Sequence, residues 1–306
     1  MKKNMIHIIS ATALALSVSS VAHAQSVADS AGRTSDLYRN SLQTQMDREV
    51  DLRDSNAGVG TYLDQNMISG GGNTISLGVE GAYKLLDQVT IGGSIQAPLN
   101  TNLPGEYSAK GSQGPSIGAY SKYQENQDGT GFGAKLSGAY GQQKLGVKAY
   151  DQTGQTRLYG YGVQAQTGYG FEQYGVLVTP YVGVSYTNMK QNSFSSQDVS
   201  VGKFSEERTS MQFGVKADYR IDPIFKVDAD AGLHANLSTH RHGFNATYAS
   251  DRYSYGVGDD KAQPYINVGV TADFDKQSSV RLSGGAAQQS YDNTAGVVDL
   301  SYQYRF

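Results

Sequence analysis

From about residue 57 onward, apolar and polar positions alternate with a period of two. Between 176 and 186, Val176, Val178, Val182, Val184 and Tyr186 share one face with Pro180. Thr179, Tyr181, Gly183 and Ser185 share the other, with Leu177 the one aliphatic exception. Between 211 and 221 the apolar face is Met211, Phe213, Val215, Ala217, Tyr219 and Ile221, opposite Gln212, Gly214, Lys216, Asp218 and Arg220. Between 225 and 237, Phe225, Val227, Ala229, Ala231, Leu233, Ala235 and Leu237 alternate with Lys226, Asp228, Asp230, Gly232, His234 and Asn236. A helix would repeat every 3.6 residues, so this pattern predicts strands. Strands of a soluble sandwich run to about five or six residues. These runs reach about 11 to 13 and match the roughly 9–11 residues with which a tilted strand crosses a bilayer. The expected fold is all-β, a transmembrane antiparallel up-and-down β-barrel whose strands turn alternate side chains to lipid and lumen.

The connections support this. Tight ones fall at 85–88, 126–130, 170–174, 222–223 and 275–278, and longer polar ones near 98–113, 145–154, 189–205 and 239–262. Short turns on one side and long loops on the other are the outer-membrane pattern, with the short turns periplasmic. Strands are expected at 73–84, 88–97, 114–125, 131–142, 156–169, 175–188, 208–221, 224–238, 263–274, 279–290 and 295–306. Single-chain barrels need an even number, and the weakly marked stretch 57–66, through Val59, Thr61 and Leu63, supplies the twelfth; ten strands is the alternative. Strands running toward the short turns carry an aromatic on the lipid face just before the turn (Tyr83, Tyr123, Tyr169, Tyr219, Phe274), and Tyr302, Tyr304 and Phe306 close the chain. Tyr140 and Tyr186 mark the other rim. These two bands read as interfacial girdles, built from the 22 Tyr of a chain that has no Trp.

The N-terminus reads as a signal peptide over residues 1–24. Lys2 and Lys3 precede a mainly apolar stretch from Met5 to Val21, and Ala22-His23-Ala24 is an A-x-A cleavage site that leaves Gln25 first. An anchor helix would be longer and freer of Ser10, Ser17, Ser19 and Ser20. Export through the Sec translocon to a bacterial cell outer membrane is the expectation, with 25–56 a short N-terminal segment and 57–306 the barrel. Without Lys2 and Lys3 the chain holds 23 basic and 28 acidic residues, a net −5, which argues against nucleic-acid partners. With no Cys, disulfides and thiolate metal sites are impossible. A mean hydropathy of −0.45 leaves a barrel open, because only every second strand residue faces lipid.

Residues 57–306 resemble the autotransporter β-domain, the translocator of type V secretion. The likeness rests on the strand count, on Val178-Thr179-Pro180-Tyr181-Val182-Gly183-Val184-Ser185-Tyr186, on Arg208 to Tyr219 with Gly214, and on the terminal Tyr-x-Tyr-x-Phe. The resemblance implies a surface-exposed outer-membrane translocator. Tyr302, Tyr304 and Phe306 resemble the signal by which such barrels reach the barrel-assembly machinery. The expected surroundings are outer-membrane lipid and lipopolysaccharide, and the expected state is a monomer without cofactors. Family members carry a passenger of hundreds of residues before the barrel; here Gln25 to Asn56 is the room available, and the Asn-Asn pair that some members cleave is absent.

The stretch from about Ser30 to Asp54 has no Pro and reads as a helix. Its apolar positions, Leu37, Met46 and Val50, are sparse and its charges lie all round, so it reads as a poor core element. A polar barrel lumen would suit it; a periplasmic leader is the alternative. Lys135, Lys216, Arg220, Asp228, Asp230, His234, Arg281 and Arg305 are expected to face the lumen. A lumen of both signs fits either a salt-bridged interior or a diffusion pore. In 239–262, His240, His242, Asp251, Asp259 and Asp260 suggest a hydrolase or a metal site. The serine nucleophile expected two residues after His240 is replaced by His242, and two His alone are a weak ligand set.

Overall fold

The computed structural model describes residues 30–103, 105, 107–109, 114–149, 152–196, 199–242, 244–248, 251–255, 262–289 and 293–306. The cleavage positions Ala22, Ala24 and Gln25 lie outside the described residues, as do Asp259 and Asp260. Helix α1 occupies 30–47. The strands are β1 (Ala57–Ile68), β2 (Gly72–Leu86), β3 (Val89–Asn102), β4 (Tyr107–Ala109), β5 (Ser116–Gln124), β6 (Gly131–Ala149), β7 (Gln152–Gln173), β8 (Val176–Gln191), β9 (Phe194–Ser196), β10 (Val199–Val201), β11 (Phe204–Arg220), β12 (Phe225–His242), β13 (Phe244–Tyr248), β14 (Asp251–Tyr255), β15 (Ala262–Asp273), β16 (Ser278–Gln288) and β17 (Thr294–Arg305).

Twelve of these form a closed antiparallel ring in the order β1, β2, β3, β5, β6, β7, β8, β11, β12, β15, β16, β17. The ring shuts where β1 meets β17, from Gly58 opposite Arg305 to Ile68 opposite Ala295. The twelve-strand reading is therefore borne out, including the weakly marked first strand. Outward positions are apolar and exposed, among them Val79, Ile95, Leu136, Val215, Val268 and Leu300. Inward positions are polar and buried, among them Asp64, Ser76, Gln164, Gln212 and Ser301. The girdle aromatics Tyr83, Tyr123, Tyr169, Tyr219 and Phe274 all stand exposed at the short-turn end.

The turns explain themselves chemically. Asp222 Oδ1 accepts from the backbone amides of Ile224 and Phe225 at 2.8 and 2.7 Å, and Asp275 Oδ1 from those of Gln277 and Ser278 at 2.7 and 2.6 Å. Such Asx turns replace a backbone turn with a side chain. The turn expected at 170–174 lies later. β7 runs to Gln173, and Tyr174-Gly175, both at positive φ (54° and 77°), make the reversal. Two successive positive φ values match the twist of a two-residue hairpin.

The other end departs from expectation. The polar loops near 145–154, 189–205 and 239–262 are largely strand: β6 is 19 residues long and β7 is 22, against 11 for β16 and 12 for β17. β9, β10, β13 and β14 form a separate four-stranded sheet. The reason is a phase inversion. Within the membrane zone β6 turns Phe132, Leu136 and Tyr140 outward and Lys135 and Ser137 inward. Farther along, Lys144 and Lys148 face out and Leu145 and Val147 face in, each of the latter 1% exposed. Period two continues while the polarity of the faces exchanges, as expected where lipid outside gives way to water.

Candidate functional site: the filled lumen

Helix α1 lies inside the barrel. Its apolar stripe, Ala31, Tyr38, Leu42 and Met46, joins a buried cluster with Tyr107, Leu145, Leu158, Met189, Val201 and Phe204 at the tall end. The helix is thus a core element, contrary to its reading as too polar. Three to four residues separate these stripe positions or their multiples, the spacing of one helix face. Glycines on the facing strands make the approach possible. A Cβ on Gly160 would stand 3.2 Å from Leu42 Cδ1, and one on Gly162 would stand 2.9 Å from Met46 Cε.

Polar contacts lock the same helix. Arg39 pairs with Glu206 at 2.6 Å, and Glu206 also receives Arg208 at 2.8 Å and Arg241 at 3.0 Å. Asn40 donates to Asn66 at 2.8 Å, Gln43 donates to Gln164 at 2.8 Å, and Gln45 donates to the Ser116 carbonyl at 3.2 Å.

Below residue 47 the helix stops, seven residues before the expected Asp54. Barrel side chains take over its backbone groups. Lys135 donates to the Asp47 carbonyl at 3.0 Å, Gln303 to that of Glu49 at 3.4 Å, Arg305 to that of Asp51 at 2.6 Å, and Lys84 to that of Arg53. Val50 N donates to Tyr120 Oη at 3.1 Å and Asp51 N to Gln303 Oε1 at 3.3 Å. Buried backbone groups need partners, and here the wall supplies them.

The side chains of this descending segment are keyed to the wall. Arg48 meets three acids on adjacent strands: Asp299 at 2.6 Å, Asp64 at 3.6 Å and Glu80 at 3.7 Å. Its guanidinium lies 3.3 Å from the centroid of the Tyr62 ring, a cation–π arrangement. Glu49 meets Lys122 at 2.7 Å and Lys135 at 3.1 Å. Arg53 meets Asp273 at 2.5 Å. Tyr62 and Tyr120 fit because each lies over a glycine, Gly78 and Gly92, directly opposite in the neighbouring strand. Reading tyrosine as a girdle residue missed these inward ones; an inward Tyr opposite an inward Gly is the signal that finds them.

The eight residues singled out for the lumen divide. Lys135 and Arg305 touch the plugging segment. The other six line a cavity of about 840 Å³ between the segment and the wall of β8, β11, β12, β15 and β16. There Asp228 pairs with Arg281 at 2.6 Å, and Arg220 with Asp273 at 3.3 Å. Asp230 accepts from Tyr181 Oη at 2.8 Å, and Tyr181 also bonds Tyr265. Lys216 lies 5.2 Å from the Tyr181 ring centroid, and His234 Nε2 is 3.3 Å from Gln212 Nε2. The cavity lining reaches Asp87, Gln88, Gln127 and Asp128 in the short turns, so it opens at that end. His240 and His242 stand exposed on the outer part of β12, away from this cavity. Among the described residues no group of three His, Asp or Glu is placed to hold a metal ion.

A closed twelve-stranded ring with an apolar exterior, two aromatic bands and a helix threaded through a polar lumen defines an outer-membrane transport barrel. The family model for the autotransporter beta-domain matches residues 99–287, and the chain belongs to that family. No curated protein sequence matches the chain. Among solved structures, the translocator domain of autotransporter NalP from Neisseria meningitidis superposes with a TM-score of 0.63 at 16% identity, covering 91% of this chain and 98% of that one. The transport unit of autotransporter AIDA-I from Escherichia coli gives 0.57 at 12% identity, covering 88% and 98%. The beta domain of the Bordetella autotransporter BrkA gives 0.54 at 17% identity, covering 82% and 99%. The protein is an integral β-barrel of the bacterial outer membrane.

Proposed function

We propose that the chain is a translocator whose cargo is its own N-terminal segment, which it leaves threaded through the lumen with the outer end exposed. The direction of α1 carries this reading. Arg33, near the start of the helix, lies over Gly70 in the β1–β2 turn at the outer end, and Ser30 lies against Gly105, also at that end. Residue 47 and the segment to Ala57 descend to the periplasmic end, where β1 begins. The described chain therefore begins, at Ser30, at the outer end of the lumen. The signal peptide would be removed after Ala24 following passage through the Sec translocon. Tyr302, Tyr304 and Phe306 would guide insertion by the barrel-assembly machinery, and the barrel would work as a monomer without enzymatic activity. A diffusion pore is the second reading, favoured by the cavity beside the helix.

The test is an epitope tag inserted after Gln25 and probed on intact cells. The tag should bind antibody without permeabilisation, as should a tag in the outer turn at Gly71, whereas a tag at Asp87 should not. A tag at Gln25 that is reached only after permeabilisation overturns the threading.

A further inference from the structure

Two pairs of inward tyrosines lie across glycines of a neighbouring strand, and the pairs differ in what covers them. Tyr62, over Gly78, lies under the Arg48 guanidinium, and the Tyr120 hydroxyl, over Gly92, accepts from Val50 N at 3.1 Å. Both belong to the seat of the threaded segment. Tyr181 and Tyr265 stand instead on the wall that faces the cavity, half-buried. Tyr181, Gly214, Gly232 and Tyr265 are successive cross-strand partners on β8, β11, β12 and β15. A Cβ on Gly214 would stand 2.7 Å from Tyr181 Cζ, and one on Gly232 would stand 2.7 Å from Tyr265 Cζ. The two side chains therefore reach toward each other over the two glycines, and their hydroxyls bond in the middle. The row forms an aromatic platform four strands wide.

Polar groups flank the platform on both sides. Two residues farther toward the short turns, Lys216, Asp230 and Asn267 are again cross-strand partners. On the other side the His234 ring centroid is 4.7 Å from that of Tyr265. Asp47, at the end of α1, lines the same cavity, and its carboxylate accepts from Gln164 at 3.1 Å. The volume of about 840 Å³ falls within the roughly 300–1,000 Å³ of small-molecule sites. Charge decides what class of molecule suits it. A cationic ligand would meet Lys216, whose ammonium lies 5.2 Å from the Tyr181 centroid and takes the place of a cation on that ring. An anionic ligand would meet Asp230 and Asp47. A neutral ligand rich in hydroxyls finds donors in Lys216 and Asn267 and acceptors in Asp230, Asn267 and Asp47. The face of an aromatic ring is negative and attracts weakly positive C–H groups. A sugar ring combines such a C–H face with a rim of hydroxyls.

We propose that this cavity binds a neutral mono- or disaccharide, stacked on the Tyr181–Tyr265 row, held at its rim by Lys216, Asp230 and Asn267, and entering from the short-turn end. The test titrates the full chain, refolded in micelles of a detergent without a sugar headgroup, with glucose, cellobiose and N,N′-diacetylchitobiose, read by saturation-transfer NMR. At least one of the three should bind saturably. Glucosamine and glucuronate, which add a positive and a negative charge to the glucose framework, should bind more weakly than glucose. Tyr265→Leu removes the ring and should lower the affinity about tenfold, whereas Tyr265→Phe keeps the ring and should retain most of it. Heat-modifiability reports that each variant is folded. Should Tyr265→Leu not fold, Asp230→Asn carries the comparison, with a smaller loss expected. Saturable binding of none of the three sugars, or wild-type binding by the folded variant, overturns the proposal. Tighter binding of glucosamine or glucuronate than of glucose also overturns it, in favour of a site for a charged ligand.

Discussion

The two walls of the lumen have similar residue types and opposite roles. The wall of β1, β2, β5, β6 and β17 gives its charges to the segment inside: Asp64, Glu80 and Asp299 to Arg48, and Lys122 and Lys135 to Glu49. The wall of β11, β12, β15 and β16 gives Glu206 to Arg39 and Asp273 to Arg53 but pairs other charges within itself, as in Lys226–Asp218 at 2.8 Å and Arg281–Asp228 at 2.6 Å, along the cavity. Charge alone therefore does not make a plug site. A wall grips when its unpaired charges complement the inserted segment, and it stays wet when it neutralises itself.

This contrast can be broken by substitution. Arg48→Ala leaves three buried acids around an empty place, and removing one partner of a buried ion pair costs about 3–5 kcal/mol. Arg281→Ala removes a pair whose side chains are 31% and 23% exposed, and such solvated pairs are worth about 0–1 kcal/mol. Urea unfolding of both variants in detergent should separate them clearly, and equal midpoints would erase the distinction between the walls.

Packing gives a smaller effect. Gly162→Leu forces volume into Met46, whose Sδ would lie 3.0 Å from an added Cβ. Overfilling a packed site costs about 1–3 kcal/mol. Asn267→Leu adds an apolar side chain on the cavity wall and should shift the unfolding midpoint less. A larger shift for Asn267→Leu would show the cavity to be filled.

The smallest effect belongs to the turns. Amide donors from Ser278 and Gln277 hold the Asp275 carboxyl below its ordinary 3.8. A lowered native pKa stabilises the fold fully above the unfolded value and loses that contribution as pH falls through the native one. Asp275→Asn should therefore narrow the difference in unfolding midpoint between pH 6 and pH 3. An unchanged difference would show that this turn does not contribute.

The membrane zone was legible because lipid enforces alternation: Val215 out and Lys216 in could not be exchanged without placing a charge in hydrocarbon. The weak strand β1 was legible through Val59, Thr61 and Leu63 and the demand for an even count. The tall flank was not, because Leu145, Val147, Lys144 and Lys148 keep the period but reverse its polarity, and a reader following apolar-out sees a loop. The end of α1 was not legible either. Nothing local to Arg48 or Glu49 forbids helix; Lys135, Gln303 and Arg305, distant in sequence, draw the backbone out of it. The partners of Arg48 stand on strands 16 to about 250 positions away, and alternation assigns their face without assigning their pairing.

The central claim is that residues 30–56 fill the lumen and close it. Single-channel conductance in planar bilayers tests this directly, comparing the whole mature chain with a deletion of residues 26–54 that remains heat-modifiable. A twelve-stranded barrel lies between eight-stranded ones, which side chains fill, and sixteen-stranded ones, which leave an aqueous channel. The account predicts low conductance for the intact chain and a stable, larger conductance for the folded deletion. A folded deletion that conducts no more than the intact chain would contradict it.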